Sequence, residues 1–317
     1  MPGVILPDVL SARDRIAPHV SKTPLVRSDT LSRLALGEIL LKLETEQITC
    51  SFKARGALNA LMQAPPDGRL IVTASAGNHG RAIAWAAEQA GRRAVVFTPR
   101  HAPRAKTDAI VAHGAELRAE APDYEDAERQ ARQFAAAEDA VFISPYNHPH
   151  VIAGAGTIAI ELLEQQPALD TILVPIGGGG LISGIALAAK SLRPSIRVVG
   201  VESEASSAFT AALAAGHIVP IAVAPTIADG LGGNVEPETI TWPLIRDYVD
   251  RVVTVREADI IAAVRHLSTC EQVTAEGAGA TAVAAVLSKA VDLRGCCAAV
   301  LVTGGNIDPL KLAELLA

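Results

Sequence analysis

Between Arg69 and Ile143 the sequence alternates short runs suited to buried strands with helix-patterned stretches of one to four turns. Leu70–Thr73, Ala94–Phe97, a short run near Glu116 and Val141–Ile143 read as strands; Asn78–Gln89, Pro103–His113 and Tyr124–Ala137 between them read as helices. Regular alternation of this kind demands parallel strands joined by crossover helices, which narrows the fold to the α/β class with open twisted sheets and helices on both faces. Pro65-Pro66-Asp67-Gly68 breaks the chain just before the alternation starts. The expected organisation is therefore a small α/β domain, 69–143, inserted in a larger one formed by 1–68 and 144–317.

The flanking segments carry the same kinds of element. Pro7–Ala17 reads as a first helix, Thr23-Pro24-Leu25 as extended chain and Glu38–Glu44 as a strand leading to a helix over Ala54–Met62. Later come a helix over Val151–Glu164, whose Gly154 and Gly156 mark a close approach of two backbones, a strand at Thr171–Ile176, a helix over Leu181–Lys190 and a strand at Arg197–Val201. A helix over Ala205–Ala215, a strand near Val252, a helix over Glu257–Ser268 and a strand at Ala298–Val302 complete the pattern.

Composition excludes several function classes. Of 317 residues half are hydrophobic but only 3% aromatic, so the interior is built from Ala, Val, Ile and Leu. A net charge of −6 with mixed signs leaves no basic patch for nucleic acid. Met1–Leu10 is interrupted by Pro2, Pro7 and Asp8 and has no basic start, which argues against a signal peptide, and no apolar run is long enough to span a membrane. Cys50, Cys270 and the adjacent Cys296 and Cys297 show no C-x-x-C spacing, and four free thiols fit a reducing cytoplasm. A small-molecule function fits better.

The chemistry concentrates in five loops at strand ends or helix starts, where α/β sheets bind ligands. Cys50-Ser-Phe-Lys-Ala-Arg-Gly56 places Lys53 at a strand-to-helix junction, where an amine can form a Schiff base with a carbonyl. Ala74-Ser-Ala-Gly-Asn-His-Gly80 joins a strand to a helix with residues small enough for close backbone approach to an anion, although Asn78 also serves as an ordinary helix cap on this reading. Gly177–Gly180, directly after a buried strand, forms a phosphate nest at a helix N-terminus. Glu276-Gly-Ala-Gly-Ala280 and Thr303-Gly-Gly-Asn306 are the remaining two. The glycine run also comes near a dinucleotide fingerprint, with Glu202 closing the following strand, which keeps an NAD-dependent oxidoreductase as a distant alternative.

Taken together, the five loops stand in the order and spacing of the fold-type II pyridoxal phosphate (PLP) enzymes, the tryptophan synthase β-like fold, and from about Thr23 to Asp308 the chain resembles the threonine/serine dehydratase and serine racemase family. The resemblance implies that the larger domain binds PLP, that Lys53 holds it as a Schiff base and, once freed, acts as the base at Cα. It implies Phe52 beside the pyridine ring, Asn78 on the phenolic oxygen, Gly177, Gly178, Gly179 and Gly180 around the phosphate, and Gly230, Glu276, Thr303 and Asn306 lining the cofactor. Ser75, Ala76, Gly77, Asn78 and His79 would hold the substrate carboxylate, with Tyr146 on the substrate side. A threonine hydroxyl is too weak an acid to protonate the pyridine nitrogen, so loss of the β-hydroxyl should follow proton removal closely.

The resemblance has departures with consequences. Racemases of the family carry serine at the position of Ala76, so racemisation is not expected as a main activity. Metal-dependent members pair Glu202 with an acidic ligand near Ala208, leaving Glu202 as either a cation ligand, monovalent or divalent, or a strand-end residue facing water. Pro145-Tyr-Asn-His148 and Gly154-Ala-Gly156 differ from the threonine dehydratase pattern, which opens the substrate to bulkier or more polar amino acids such as phenylserine, hydroxyaspartate or a hydroxyectoine-pathway intermediate. His148 and His150 read as solvated loop residues. The implied activity is an ammonia-lyase converting a β-hydroxy amino acid to a 2-oxo acid and ammonia, with β-replacement of the cysteine-synthase kind as the alternative, in a homodimer.

Overall fold

The computed structural model describes residues 3–317; Met1 and Pro2, part of the stretch read above as no signal peptide, lie outside the described residues. In chain order the strands are β1 (Leu25–Arg27), β2 (Glu38–Leu43), β3 (Ile71–Ala74), β4 (Ala94–Pro99), β5 (Glu116–Ala121), β6 (Val141–Phe142), β7 (Thr171–Pro175), β8 (Arg197–Ser203), β9 (Arg251–Val255) and β10 (Cys297–Val302). The helices are α1 (Leu6–Ile16), α2 (Asp29–Ala35), α3 (Lys53–Met62), α4 (Asn78–Gln89), α5 (Arg104–Val111), α6 (Tyr124–Ala137) and α7 (Pro149–Gln165). They continue with α8 (Gly180–Leu192), α9 (Ala208–Ala215), α10 (Thr241–Tyr248), α11 (Glu257–Cys270), α12 (Gly277–Leu287) and α13 (Pro309–Leu316).

Two sheets result. Six strands pair in the order β1-β2-β10-β7-β8-β9, and β5-β4-β3-β6 form the second sheet. Among the described strands only β1 runs antiparallel, paired with β2 through Val26↔Leu41. The central strands are buried on both faces, which is why they read as unbroken apolar runs. Side chains alternate between two cores: Ile172, Val174, Val198, Ala299 and Leu301 pack under α7 and α8, while Leu173, Val199, Val201, Ala298 and Val300 pack under α11 and α12. In the four-stranded sheet Ile71, Ala94 and Val96 face α3 and α4, and Val72, Val95 and Phe97 face α6.

The placement of α3 matters most for the site. Its Ala54, Leu58 and Leu61 join the core of the smaller sheet, whereas its other side meets α7 so closely that a Cβ on Gly154 would lie 2.6 Å from Arg55 O. Lys53 thus starts a helix wedged between the two sheets. A buried ion network fixes that wedge: Arg55 Nε donates to Glu44 Oε2 at 2.8 Å and its Nη1 to Glu161 Oε1 at 2.6 Å, and Lys42 Nζ donates to Glu161 Oε2 at 2.6 Å.

Three helices were not expected from periodicity, because each is short: α2, α10 and α13. The starts of α2 and α13 carry local signals nonetheless. Ser28 Oγ accepts from Leu31 N at 3.1 Å and Asp308 Oδ1 from Leu310 N at 2.8 Å, both N-caps.

Candidate active site

The Lys53 loop is shaped by the end of β10. Phe52 N donates to Thr303 O at 3.1 Å and Gly305 N to Cys50 O at 3.0 Å, with Cys50 in the left-handed region at φ 54°. Lys53 then opens α3, and its Nζ donates to Pro145 O at 2.8 Å, 5.0 Å from the centre of the Phe52 ring. Desolvation lowers its pKa from the usual lysine range to about 8, opposed by the charge of Glu276. An amine so placed is neutral often enough near neutral pH to act as nucleophile and base.

The glycine turn follows β7. A Cβ on Gly178 would lie 2.3 Å from the Tyr146 ring, and one on Gly180 2.9 Å from the Tyr146 Cα. Gly179 sits at φ 87°, and α8 begins at Gly180 with no side-chain cap. Four residues without side chains therefore leave uncapped N–H groups at a helix N-terminus, the arrangement that receives a phosphate. Tyr146, in the turn that also supplies Pro145 O, accepts from Glu236 N at 3.3 Å through its hydroxyl.

The loop between β3 and α4 is a second uncapped helix start. Gly77 occupies the cap position without a side-chain bond, and Asn78 is the first helical residue, so the cap role offered for Asn78 is corrected. Its side chain reaches the larger sheet instead: Asn78 Nδ2 donates to Glu276 Oε1 at 2.5 Å, and Asn78 Oδ1 accepts from Asn306 Nδ2 at 2.7 Å. Ser75 Oγ accepts from Gly77 N at 3.1 Å, tightening the turn around Ala76. His79 is buried, with Nε2 3.3 Å from Ile143 O; burial and then the Lys53 charge push its pKa down to about 3, so the ring is neutral.

Glu276 and the 303–306 loop complete the site. Burial, and then repulsion from Asp229, raise the Glu276 pKa to about 7. Glu276 N donates to Gly304 O at 3.1 Å, and a Cβ on Gly279 would lie 2.2 Å from Gly304 O, so the two loops are in direct backbone contact. Thr303 Oγ1 makes a long 3.5 Å contact to Ala278 O, which leaves its hydroxyl available. Gly230 approaches the same loop, its would-be Cβ 3.3 Å from Ala278 Cβ.

A cavity of about 590 Å³ adjoins Asn78, Glu276 and Asn306, lined also by Arg81, Lys106 and Asp229 but not by Lys53 or Gly177–Gly180. Lys106 Nζ to Asp229 Oδ2 at 2.6 Å spans its mouth. Arg81, absent from the sequence reading, donates through Nη1 to Asn306 Oδ1 at 2.7 Å. Its spacing of three from Asn78 on a predicted helix places both on one face, a signal that was available.

Two expectations need correction. Glu202 does not face water: it is 1% exposed, and its carboxylate accepts from Phe209 N and Thr210 N, both at 2.8 Å, and from Thr210 Oγ1 at 2.6 Å, capping α9. Among the described residues no group of three His, Cys, Asp or Glu side chains is arranged to hold a metal ion. His148 is not a solvated loop residue either; it precedes α7 with its ring 5.6 Å from that of His150, its Nδ1 buried without a partner, and burial lowers its pKa to about 4.

Comparison with known proteins agrees with this geometry. Residues 16–304 match the family model described as pyridoxal-phosphate dependent enzyme. The L-threonine ammonia-lyase of Thermotoga maritima is 40% identical over 307 residues, 96% of this chain and 76% of that protein, and the serine racemase of Arabidopsis thaliana is 38% identical, covering 95% and 93%. The structure of maize serine racemase superposes with a TM-score of 0.93 at 34% identity over 99% of this chain and 97% of that one. The threonine deaminase from T.th. gives 0.88 at 37% identity over 96% and 99%. A buried junction lysine, an uncapped glycine turn and a match running through nearly the whole chain lead to one assignment: this chain belongs to the pyridoxal-phosphate dependent enzyme family.

Proposed function

We propose that this enzyme is an ammonia-lyase that takes a β-hydroxy amino acid to a 2-oxo acid and ammonia. The observation that carries it is Lys53, a desolvated amine whose pKa is lowered to about 8 and whose Nζ rests on Pro145 O, 2.8 Å away. The residues present fit PLP. Gly177–Gly180 let Tyr146, Leu231, Phe209 and Ile245 pack directly on the turn, and the uncapped α8 N-terminus is offered to the phosphate. Phe52 would flank the ring, Thr303 its nitrogen and Asn78 its phenolic oxygen, with Gly230 and Glu276 around the edge.

When bound, PLP supplies the electron withdrawal that makes the Cα proton removable. The chain supplies the rest. Uncapped N–H groups of the first turn of α4 would orient the substrate carboxylate. Lys53 Nζ, once released from its bond to the cofactor, would take the proton from Cα; the β-hydroxyl leaves with a proton as water, and hydrolysis of the released enamine consumes one water and frees ammonia. At the position of Ala76 a methyl group has no proton to give or take, which favours elimination over racemisation. Residues 69–143 would act as the smaller domain against the remainder, in a cytoplasmic homodimer. Sedimentation of the purified protein tests the dimer.

The functional test is a panel of β-hydroxy amino acids scored for 2-oxo acid, run beside an absorbance spectrum before and after borohydride. Turnover of at least one substrate is expected, with a visible band that borohydride bleaches and a mass label on Lys53. Lys53→Ala is expected to lose both the label and turnover. Stoichiometric D-amino acid without 2-oxo acid would instead favour a racemase.

A further inference from the structure

The hydrogen bonds around Asn78 form a directed series. Arg81 has only N–H donors, so Asn306 Oδ1, 2.7 Å from its Nη1, must be the acceptor. That fixes the Asn306 amide, whose Nδ2 gives one proton to Thr49 O at 2.9 Å and the other to Asn78 Oδ1 at 2.7 Å. With its oxygen engaged, Asn78 must turn Nδ2 toward Glu276 at 2.5 Å and keep one further N–H for the site. Arg81 lies on α4 with Asn78, whereas Asn306 and Glu276 belong to the loops of the larger sheet. The arginine holds this position with its Nε buried and unpartnered, a cost that a surface arginine turned to water would avoid.

We propose that Arg81 is a positioning residue: by anchoring Asn306, it holds the Asn78 amide with its free N–H toward the cofactor's phenolic oxygen. The proposal rests on the reading of Asn78 given above. With Arg81 in place the free N–H of Asn78 donates to that oxygen. Without it, Asn306 Oδ1 loses its donor and the Asn306 amide is anchored by Thr49 O alone. Asn78, tied to Asn306 through its Oδ1, would then hold its free N–H less firmly toward the phenolic oxygen. A hydrogen bond donated to the ionised oxygen favours its charged form, so its loss should raise the pH at which the bound cofactor's visible band titrates. Glu276, Lys53, Asp229 and Lys106 act on the site in every variant, and Asn306→Ala, which keeps the Arg81 charge, separates the amide series from the loss of that charge.

The test compares wild type, Arg81→Met, Arg81→Lys and Asn306→Ala, each folded by its apoprotein melting curve. It reads the pH midpoint of the visible band and the PLP dissociation constant by fluorescence quenching. Arg81→Met and Asn306→Ala are expected to weaken PLP about tenfold, as for one hydrogen bond to a charged group, and to raise the midpoint by about one pH unit. Arg81→Lys, which keeps a cationic donor, should recover most of the shift. The double variant should move no further than either single one. Unchanged midpoint and affinity in folded Arg81→Met would overturn the proposal, and so would fully additive shifts in the double variant. Absence of any band in the wild type with added PLP would overturn the functional reading itself, a separate result.

Discussion

At the scale of single residues the site is governed by two opposed titrations. Lys53 is pushed down to about 8 and Glu276 up to about 7, both chiefly by burial. For Glu276 the folded-state value lies above that of the unfolded chain, so its contribution to stability is fully present below the usual glutamate range and is lost as pH rises through about 7. The loss amounts to about 3 kcal/mol by the conversion of 1.36 kcal/mol per pH unit. Glu276→Gln keeps the acceptor for Asn78 without the charge. The apoprotein of that variant should be more stable than wild type at pH 8 and no more stable near pH 4, measured by urea unfolding. Lys53 gives a kinetic counterpart: only the neutral amine captures PLP, so the rate of uptake by the apoenzyme should climb through about pH 8 and level off above it, followed by stopped-flow absorbance.

At the scale of elements, α3 and the turn before α8 are built to different ends. The turn is pressed against Tyr146, so an added side chain displaces it. Gly178→Ala puts a methyl group 2.3 Å from the Tyr146 ring, and the expected result is at least a tenfold loss of PLP affinity with a folded apoprotein. Helix α3, by contrast, is held rigidly. Arg55 lies 1% exposed between Glu44 and Glu161, 0% and 13% exposed, and replacing it by alanine would leave Glu44 buried without its ion-pair partner and Glu161 with Lys42 alone. Arg55→Ala should therefore cost about 3–5 kcal/mol of stability by chemical denaturation. The sequence showed Arg55 only as a neighbour of Lys53, because its partners lie 11 and 106 positions along the chain.

At the scale of the molecule, apolar packing of α3 joins the two sheets, and polar contacts beside the site add bridges between the segment 69–143 and the rest of the chain. Lys106 to Asp229 is one bridge, and Arg132 to Glu236, 3.0 Å apart, is another. Such partly exposed pairs contribute about 0–1 kcal/mol to stability. Lys106→Ala should leave the unfolding free energy within that range. Loss of the bridge should instead raise KM for the amino acid, because the wall carrying Asn78 is then held less firmly against the wall carrying Glu276. Steady-state kinetics beside a denaturation curve separate the two effects.

Strand alternation, the glycine turn and the Lys53 junction are written locally, because backbone sterics and side-chain period act over a few residues. The class of fold, the loops that carry the chemistry and Lys53 itself were legible for that reason. Glu202 was ambiguous in the sequence because a strand-end glutamate looks the same whether it meets water or the start of α9; only the folded chain brings Phe209 N and Thr210 N to it. The Arg81–Asn306 bond, the Lys106–Asp229 bridge and the Arg55 network were not legible for a related reason. Each depends on groups brought together from distant segments, and a hydrogen bond or ion pair exists only where the packing of α3, α4 and the two sheets puts donor and acceptor within about 3 Å.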